Sequence, residues 1–544
     1  MIRLRKAQIL CFPEAFSLLL IAGWISKIGW NIRMEEEIHM FWKIAMIILF
    51  IGITVGIGLY CRKKAASVGG FVLGGRSAGP WLTAFAYGTS YFSAVVFVGY
   101  AGQFGWNFGL SATWIGLGNA FIGSLAAWLV LARRTRIMTK HLDSATMPDF
   151  FAKRFSSRAL KIAASIIIFI FLVPYSASVY KGLSGLFAIA FGVDFTYCML
   201  AMALITAFYV VVGGYMAAAL NDFIQGFIMI VGIVLVVVSV LNGKGGFTAA
   251  IESLSQIEVA SAPKLNGALT SFFGPDPLGL LAVVIMTSLG TWGLPQMVHK
   301  FYSIKDERSI KTGTVISTFF ALIIAGGSYF MGGFGRLYYT PGEAGVVYDE
   351  IVPTMLAGQL SDILIGVVLL VVLCASMSTL SSLVIASSST FILDFLAGVF
   401  HIQLEQRSQL RWIRILCAFF VVVSVVLALY PGSLITALMS LSWGALAGAF
   451  LGPFVYGLYW KRTTKAAVWA SFFCGVGFMT ANLFIGFLPM TAAGAVAIVL
   501  SLIVVPVVSL ITPRLPEQKV VDVFACYDEK VSAAARNALP ESDE

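Results

Sequence analysis

Small and hydroxyl-bearing residues interrupt the apolar segment 80–103 near its middle: Gly88, Thr89, Ser90 and Ser93. If this segment crosses a membrane as a helix that breaks at these residues, the break frees backbone carbonyls. Free carbonyls are tolerated at that depth only where they line a cavity or bind a ligand. A close helix contact through small residues explains the same pattern, and from this segment alone both explanations stay open.

Hydroxyl groups also cluster in the apolar segment 357–385. Ser378, Ser381 and Ser382 are spaced so that a helix places their hydroxyls on one face. Thr379 lies at the edge of that face. A serine in a helix often bonds only to the carbonyl one turn earlier, but four hydroxyls around one point in the middle of the segment favour a binding function.

A carboxylate lies just inside a third apolar segment, 217–241. Asp222 is accompanied there by Asn221 and Gln225. An acid near the start of a helix often only complements the helix dipole, and this is the alternative to ion binding. Together the three clusters offer neutral oxygens, backbone carbonyls and one carboxylate, which suit a small hard cation. Zinc or copper would require His or Cys, and none is placed for it, so sodium is the inferred metal ion.

The amino-acid composition indicates that the protein containing these clusters is a membrane protein. Of 544 residues, 59% are hydrophobic and 11% are charged, and the mean hydropathy is +0.91. These values exclude a soluble enzyme, a disordered protein and a nucleic-acid-binding domain. The seven cysteines include no CxxC pair, which argues against a metal site or a disulfide framework. No catalytic constellation is visible, so we predict an all-α polytopic membrane protein that is not an enzyme.

About thirteen segments are long and apolar enough to cross the bilayer as helices. They are 40–60, 80–103, 110–132, 161–180, 194–214, 217–241, 278–298, 313–335, 357–385, 411–430, 433–459, 466–486 and 491–511. In the connections, 26 Lys and Arg lie on one side and four on the other. The basic side is expected to be cytoplasmic, which predicts a multi-pass cell-membrane protein with its N-terminus outside and its C-terminus inside.

One membrane domain, 40–515, makes up most of the chain. The segment 1–39 is an extra span, a signal sequence, or sequence upstream of a start at Met34 or Met40. Because no small-residue cleavage site is evident, a signal sequence is the least favoured of these. The tail 516–544 is predicted to be cytoplasmic and is too short for a catalytic or kinase domain.

Five motifs occur in the order found in a known family: FVLGGRSAGPW, TMPDFFAKRF, YVVVGGYMAAALNDFIQGFIMIVG, WGLPQMVHKFYSIKDERSIKTG and SMSTLSSLVIASSSTFILD. Over residues 40–515 the sequence resembles the sodium/solute symporters, which include proline, pantothenate, monocarboxylate and sugar transporters. The resemblance implies a leucine-transporter-like fold of two inverted five-helix repeats, with ligands near the midplane beside discontinuous helices. It places a discontinuous first core helix at Pro80–Gly102 and the start of the second repeat around 313–337.

The resemblance also implies the sodium ligands, and sodium is the one co-substrate expected. A first site is implied by carbonyls and hydroxyls at five positions, namely Thr89, Phe92, Ala375, Ser378 and Thr379. A second site, present only in some branches, uses an acid and two hydroxyls, which match Asp222, Ser381 and Ser382. This sequence keeps all three side chains, so a stoichiometry of one or two sodium ions stays open.

For the solute, the resemblance implies a pocket lined by Ser90, Tyr91, Tyr175, Thr287, Thr291 and Trp292. Val96 stands where the sugar branch has a sugar-binding Gln, which disfavours a sugar. Of the aromatic pocket positions of proline symporters only Tyr175 is kept, so proline becomes the alternative. The LND and GLP motifs and the YSIKDE loop are most similar to the pantothenate and monocarboxylate branches, and we expect a small carboxylate-bearing solute.

The expected partners are therefore sodium, a small organic solute and the lipid bilayer, without nucleic acid or an obligate protein partner. The implied mechanism is alternating access, in which sodium entry drives solute import. Tyr91 and Tyr175 are explained equally well as helix-packing aromatics. A non-transporting sensor and a sodium leak pathway are the rival functions, and the short tail argues against the sensor.

Overall fold

The computed structural model describes residues 44–191, 193–259, 262–263, 265–342, 345–357, 360, 362–400, 405–430 and 434–528. Within these ranges the chain is helical, with two isolated β-bridges and no strand. The predicted all-α class is confirmed. The possibilities considered for the segment 1–39 lie outside the described residues, as does most of the tail after 528.

Ten helices of the described residues are long and apolar enough to cross a membrane, or up to eleven if one bent pair is counted as a span. Two of them, 47 and 48 residues long, would be about 70 Å in length as straight helices, over twice the thickness of the hydrocarbon. Each is turned by a glycine with positive φ, Gly109 at 62° and Gly214 at 56°. Dividing both helices there gives thirteen spans, at the positions that hydropathy predicts.

In chain order the helices of the spans are α1 (Ile44–Cys61), α2 (Pro80–Tyr91), α3 (95–108), α4 (113–141), α5 (Arg158–Phe191), α6 (195–213), α7 (215–242), α8 (Pro277–Leu289), α9 (Pro295–Tyr302), α10 (Glu307–Gly332), α11 (Asp362–Thr390), α12 (Gln406–Ala428), α13 (Ile435–Tyr459), α14 (Lys465–Ile485) and α15 (Met490–Ile511). Short helices outside the spans are Val68–Leu73, Met147–Phe155, Phe247–Ser255, Tyr348–Ala357 and Glu517–Phe524.

The second span is interrupted where the sequence predicts a break. Pro80 begins α2, and the helix ends at Tyr91 because Phe92 is extended, with φ −106° and ψ 97°. The Ser93 hydroxyl then accepts a hydrogen bond from the Val95 amide at 3.2 Å, and the chain re-enters a helix as α3. The predicted discontinuous helix is confirmed.

A second interruption lies in the seventh span. Between α8 and α9 the chain bends by 47° at Leu294, whose extended backbone (φ −80°, ψ 123°) precedes Pro295. The helix α10 runs without a break through the region 313–332. The expectation that the second repeat begins around 313–337 is therefore wrong. The interrupted spans are the second and the seventh, five apart, which fits two five-helix repeats.

Burial distinguishes the central spans from the peripheral ones. In the most apolar part of each span, 72% of residues are buried for the ninth span, which contains α11, and 83% for α13, but only 22% for α1. The ninth span packs against α2, α5, α12 and the α6–α7 pair. It therefore brings its hydroxyl face against the break of the second span in the middle of the protein.

Candidate ion and solute site

The first set of predicted sodium ligands lies where the break of the second span meets α11. Ser378 Oγ donates a hydrogen bond to the Thr89 carbonyl at 2.8 Å and lies 3.2 Å from the Ala375 carbonyl. Thr379 Oγ1 lies 3.4 Å from the Thr89 carbonyl and 3.1 Å from the Ala375 carbonyl. Phe92, the fifth predicted ligand, is the extended residue that ends α2. Four oxygens thus converge from two helices on one buried region.

The interruption of the helix explains why these carbonyls face hydroxyl groups. In a continuous helix the Thr89 and Ser90 carbonyls would accept hydrogen bonds from amides four residues later. Here the chain leaves the helix at Phe92, and the Ser90 carbonyl instead lies 3.3 Å from Thr379 Oγ1. Neutral oxygens of this kind suit a hard monovalent cation. In the described part of the chain no group of three or more His, Cys, Asp or Glu residues is placed to hold another metal.

The second predicted cluster contains a residue that the sequence analysis did not assign to it. Lys300, on α9, donates from Nζ to Ser382 Oγ at 2.9 Å and lies 3.7 Å from Asp222 Oδ2. Ser382 Oγ in turn lies 2.8 Å from Ser90 Oγ on α2. Ser381 Oγ donates to a carbonyl of its own helix at 2.8 Å. An ammonium group is therefore in contact with part of the predicted second sodium site.

Two expectations about these charges are corrected by the fold. Lys300 follows the apolar segment 278–298, and the sequence therefore predicts that it lies in a basic connection. It is instead 2% exposed, because the bend at Leu294 directs α9 into the protein. Asp222 is fully buried seven residues after α7 begins, beyond the first turn, where the helix dipole acts. The dipole explanation for Asp222 is thus not supported. The sequence signal that could have identified Lys300 is the GLP motif at 293–295, because a new helix, α9, starts there and carries Lys300.

Part of the predicted solute pocket is gathered around a tryptophan that the sequence analysis missed. The Trp443 ring, on α13, lies 6.1 Å from the Tyr91 ring and 5.8 Å from the Tyr175 ring between centroids. Tyr91 Oη donates a hydrogen bond to the Thr287 carbonyl at 2.6 Å. The second span, the fourth span, the seventh span and α13 therefore meet here. Nothing in the local sequence around Trp443 separates it from an ordinary packing residue of an apolar helix.

Of the other predicted pocket residues, Trp292 and Ser90 point elsewhere, whereas the Thr291 side chain lies next to Tyr91. Trp292 is half-buried, and its indole donates to the Ile122 carbonyl at 3.0 Å. Thr291 Oγ1 donates to the Ser288 carbonyl of its own span at 2.9 Å. Ser90 belongs, through its hydroxyl, to the cluster that contains Lys300. The structure thus keeps four of the six together, while Trp292 and Ser90 have partners in other regions. The four are Tyr91, Tyr175, Thr287 and Thr291.

Two hydrogen-bond donors in this aromatic group are unsatisfied. Tyr175 Oη and Trp443 Nε1 are buried and lie next to each other and to Ser93, but neither makes a hydrogen bond of good geometry with a described residue. A buried donor left without a partner costs about 1–3 kcal/mol. The aromatic rings bury the apolar part of a small molecule well, and the two donors are suited to its polar end.

Comparison with known proteins agrees with this geometry. The model of the sodium:solute symporter family matches residues 71–475. The osmoregulated proline transporter OpuE of Bacillus subtilis is 30% identical over 477 residues, which cover 87% of this chain and 95% of that protein. Sodium/proline symporter 2 of Staphylococcus saprophyticus is 29% identical, and the match covers 81% of this chain and 86% of that protein.

A solved structure supports the fold. A Na⁺-coupled sialic acid symporter in a substrate-bound outward-open state is similar with a TM-score of 0.68. The match covers 88% of this chain and 99% of that one, at 17% sequence identity. It agrees with the predicted leucine-transporter-like arrangement. The family model matches most of this chain, and OpuE is 30% identical over 87% of it. The chain therefore belongs to the sodium:solute symporter family of multi-pass membrane transporters and is not an enzyme.

Proposed function

We propose that this protein is a secondary active importer in which downhill entry of sodium drives uptake of a small organic solute. The observation that carries the proposal is the convergence of the Thr89 and Ala375 carbonyls with the Ser378 and Thr379 hydroxyls at the helix break. These oxygens are neutral and come from two helices. A sodium ion bound among them would tie α2 to α11.

The coupling follows from this placement. When sodium binds, the hydroxyl hydrogens turn away from the carbonyls and all four oxygens face the ion. The ion thereby favours conformations in which α2 and α11 remain in contact, and the solute binds to a completed pocket next to them. One sodium ion entering at a potential of 100 mV supplies about 2.3 kcal/mol, which corresponds to roughly fiftyfold accumulation of a neutral solute.

For the solute we propose proline or a closely related amino acid. Both relatives described above are named for proline transport, which favours the alternative weighed in the sequence analysis over a pantothenate-like or monocarboxylate-like solute. The unsatisfied Tyr175 hydroxyl and Trp443 indole N–H are suited to the carboxylate of an amino acid. The aromatic faces of the same residues are suited to its apolar ring.

Uptake into proteoliposomes tests the function and separates it from its rivals. With an inward sodium gradient, labelled proline should accumulate, and unlabelled pantothenate and lactate should compete poorly. Potassium or choline in place of sodium should abolish uptake. Sodium flux without solute would indicate a leak pathway. If neither proline nor pantothenate nor lactate is taken up, a sensor is favoured. Strong competition by lactate or pantothenate would contradict the assignment of proline.

Removal of one hydroxyl from the proposed sodium site should weaken sodium binding. Ser378→Ala and Thr379→Ala are each expected to raise the sodium concentration for half-maximal uptake about tenfold, since one ligand is worth about 1.4 kcal/mol. The matched control is Ser376→Ala, on the same helix, whose buried hydroxyl donates to the Val372 carbonyl at 2.6 Å. Equal sodium dependence in all three variants would refute the site.

The unsatisfied donors of the pocket should contribute to solute affinity. Trp443→Phe and Tyr175→Phe keep an aromatic ring but remove an N–H or O–H group, so the KM for solute should rise about tenfold while sodium dependence stays unchanged. The control is Trp292→Phe, whose indole bonds to the Ile122 carbonyl outside this group. A KM that rises only in the control would place the solute elsewhere.

We also propose that the N-terminal side of α1 is outside the cell and that the C-terminus is cytoplasmic. Without the buried Lys300, 25 basic residues lie in one set of connections and four in the other, and this imbalance supports the orientation. In right-side-out membrane vesicles, a C-terminal epitope tag should resist added protease until the vesicles are opened. Digestion of the tag in sealed vesicles would reverse the orientation.

A further inference from the structure

The predicted second sodium site already contains a positive charge that belongs to the protein itself. Lys300 Nζ lies 2.9 Å from Ser382 Oγ and 3.7 Å from Asp222 Oδ2. The Tyr215 ring lies beneath the same ammonium, 5.4 Å from its centroid. The ammonium therefore uses the carboxylate and one of the two hydroxyls that the family resemblance assigns to a second sodium ion.

The charges of Asp222 and Lys300 cancel, so this region has no net negative charge that would attract another cation. Within the described residues, the ion pairs of Asp222 and Lys300 are with each other alone. Both side chains are buried, and the pair is neutral. A sodium ion about 4 Å from the ammonium would meet about 4 kcal/mol of repulsion from it at an effective dielectric constant of about 20, which offsets much of the attraction of the Asp222 carboxylate.

The ammonium is also linked to the moving parts that alternating access requires. Lys300 lies on α9, directly after the break of the seventh span. Ser382, its hydrogen-bond partner on α11, bonds to Ser90 Oγ at 2.8 Å, next to the break of the second span. The neighbouring Thr89 carbonyl belongs to the first sodium site. One hydrogen-bonded chain therefore connects both interrupted spans through α11.

We propose that Lys300 is a tethered cation that takes the place of a second sodium ion, so that this protein binds and carries one sodium ion per transport cycle. The inference rests on the proposed sodium coupling and specifies its stoichiometry. The ammonium holds α7, α9 and α11 together without needing to be taken up from solution. The remaining sodium binds among the oxygens contributed by Thr89, Ala375, Ser378 and Thr379.

Equilibrium binding of ²²Na⁺ to the purified full-length protein tests the proposal without a known solute. The unsubstituted protein should bind one sodium ion per chain. Lys300→Ala should bind two, because the carboxylate and hydroxyls become available. Lys300→Arg, which keeps the positive charge, and the double variant Asp222→Asn/Lys300→Ala, which removes both charges, should each bind one.

The outcomes separate this inference from the proposed function. Two sodium ions bound by the unsubstituted protein would overturn the inference while leaving sodium coupling intact, and this reading does not depend on whether any variant folds. One ion bound by a monodisperse Lys300→Ala protein would also overturn it. No saturable sodium binding by the unsubstituted protein would contradict sodium coupling itself, and the tethered-cation proposal with it.

Discussion

Backbone carbonyls freed inside a membrane must find partners, because no water is present there to bind them. In this protein the second span leaves the helix at Phe92, and the carbonyls of Thr89 and Ser90 face the hydroxyls of Ser378 and Thr379. This contact determines where α2 sits against the ninth span. The sodium ion proposed to bind there would strengthen the same contact, and it would link ion occupancy to helix packing through neutral groups alone.

The buried pair of Asp222 and Lys300 has a different physical character. Removing two charges from water costs several kcal/mol per ion, and their attraction repays this only with good geometry and further hydrogen bonds. Stability alone is thus a weak reason for keeping the pair. Its location is more informative, because Lys300 follows one helix break and Ser382 connects it to Ser90 at the other. Both breaks, the Lys300 ammonium and the proposed sodium site thus belong to one connected polar region.

The sequence predicted those features that depend on local composition. Apolar length located the spans, and the run of Gly88, Thr89 and Ser90 revealed the first break because polar residues interrupted an apolar segment. The second break was not predicted, because the run 278–298 is apolar enough on average to count as one span. Its Thr287, Ser288 and Thr291 hydroxyls and the GLP motif at 293–295 mark the region where the helix ends at Leu294. The expected start of the second repeat was displaced by one span for this reason.

Features that depend on tertiary packing could not be predicted in the same way. Lys300 looks like a loop residue because other basic residues follow it, and only the 47° bend reveals that its helix enters the protein. Trp443 lies on an apolar helix distant in sequence from Tyr91 and Tyr175, so their grouping required the fold. The family resemblance implies that Trp292 lines the pocket, but its indole turns toward Ile122.

The central claim is that a sodium ion binds where the broken second span meets the ninth span. A high-resolution structure of the protein determined in sodium, and again with sodium replaced by choline, tests it most directly. The account predicts one ion in the sodium structure, coordinated by oxygens of Thr89, Ala375, Ser378 and Thr379, and a direct contact between these groups without it. An ion found at another position, or identical density in both structures, would contradict the account.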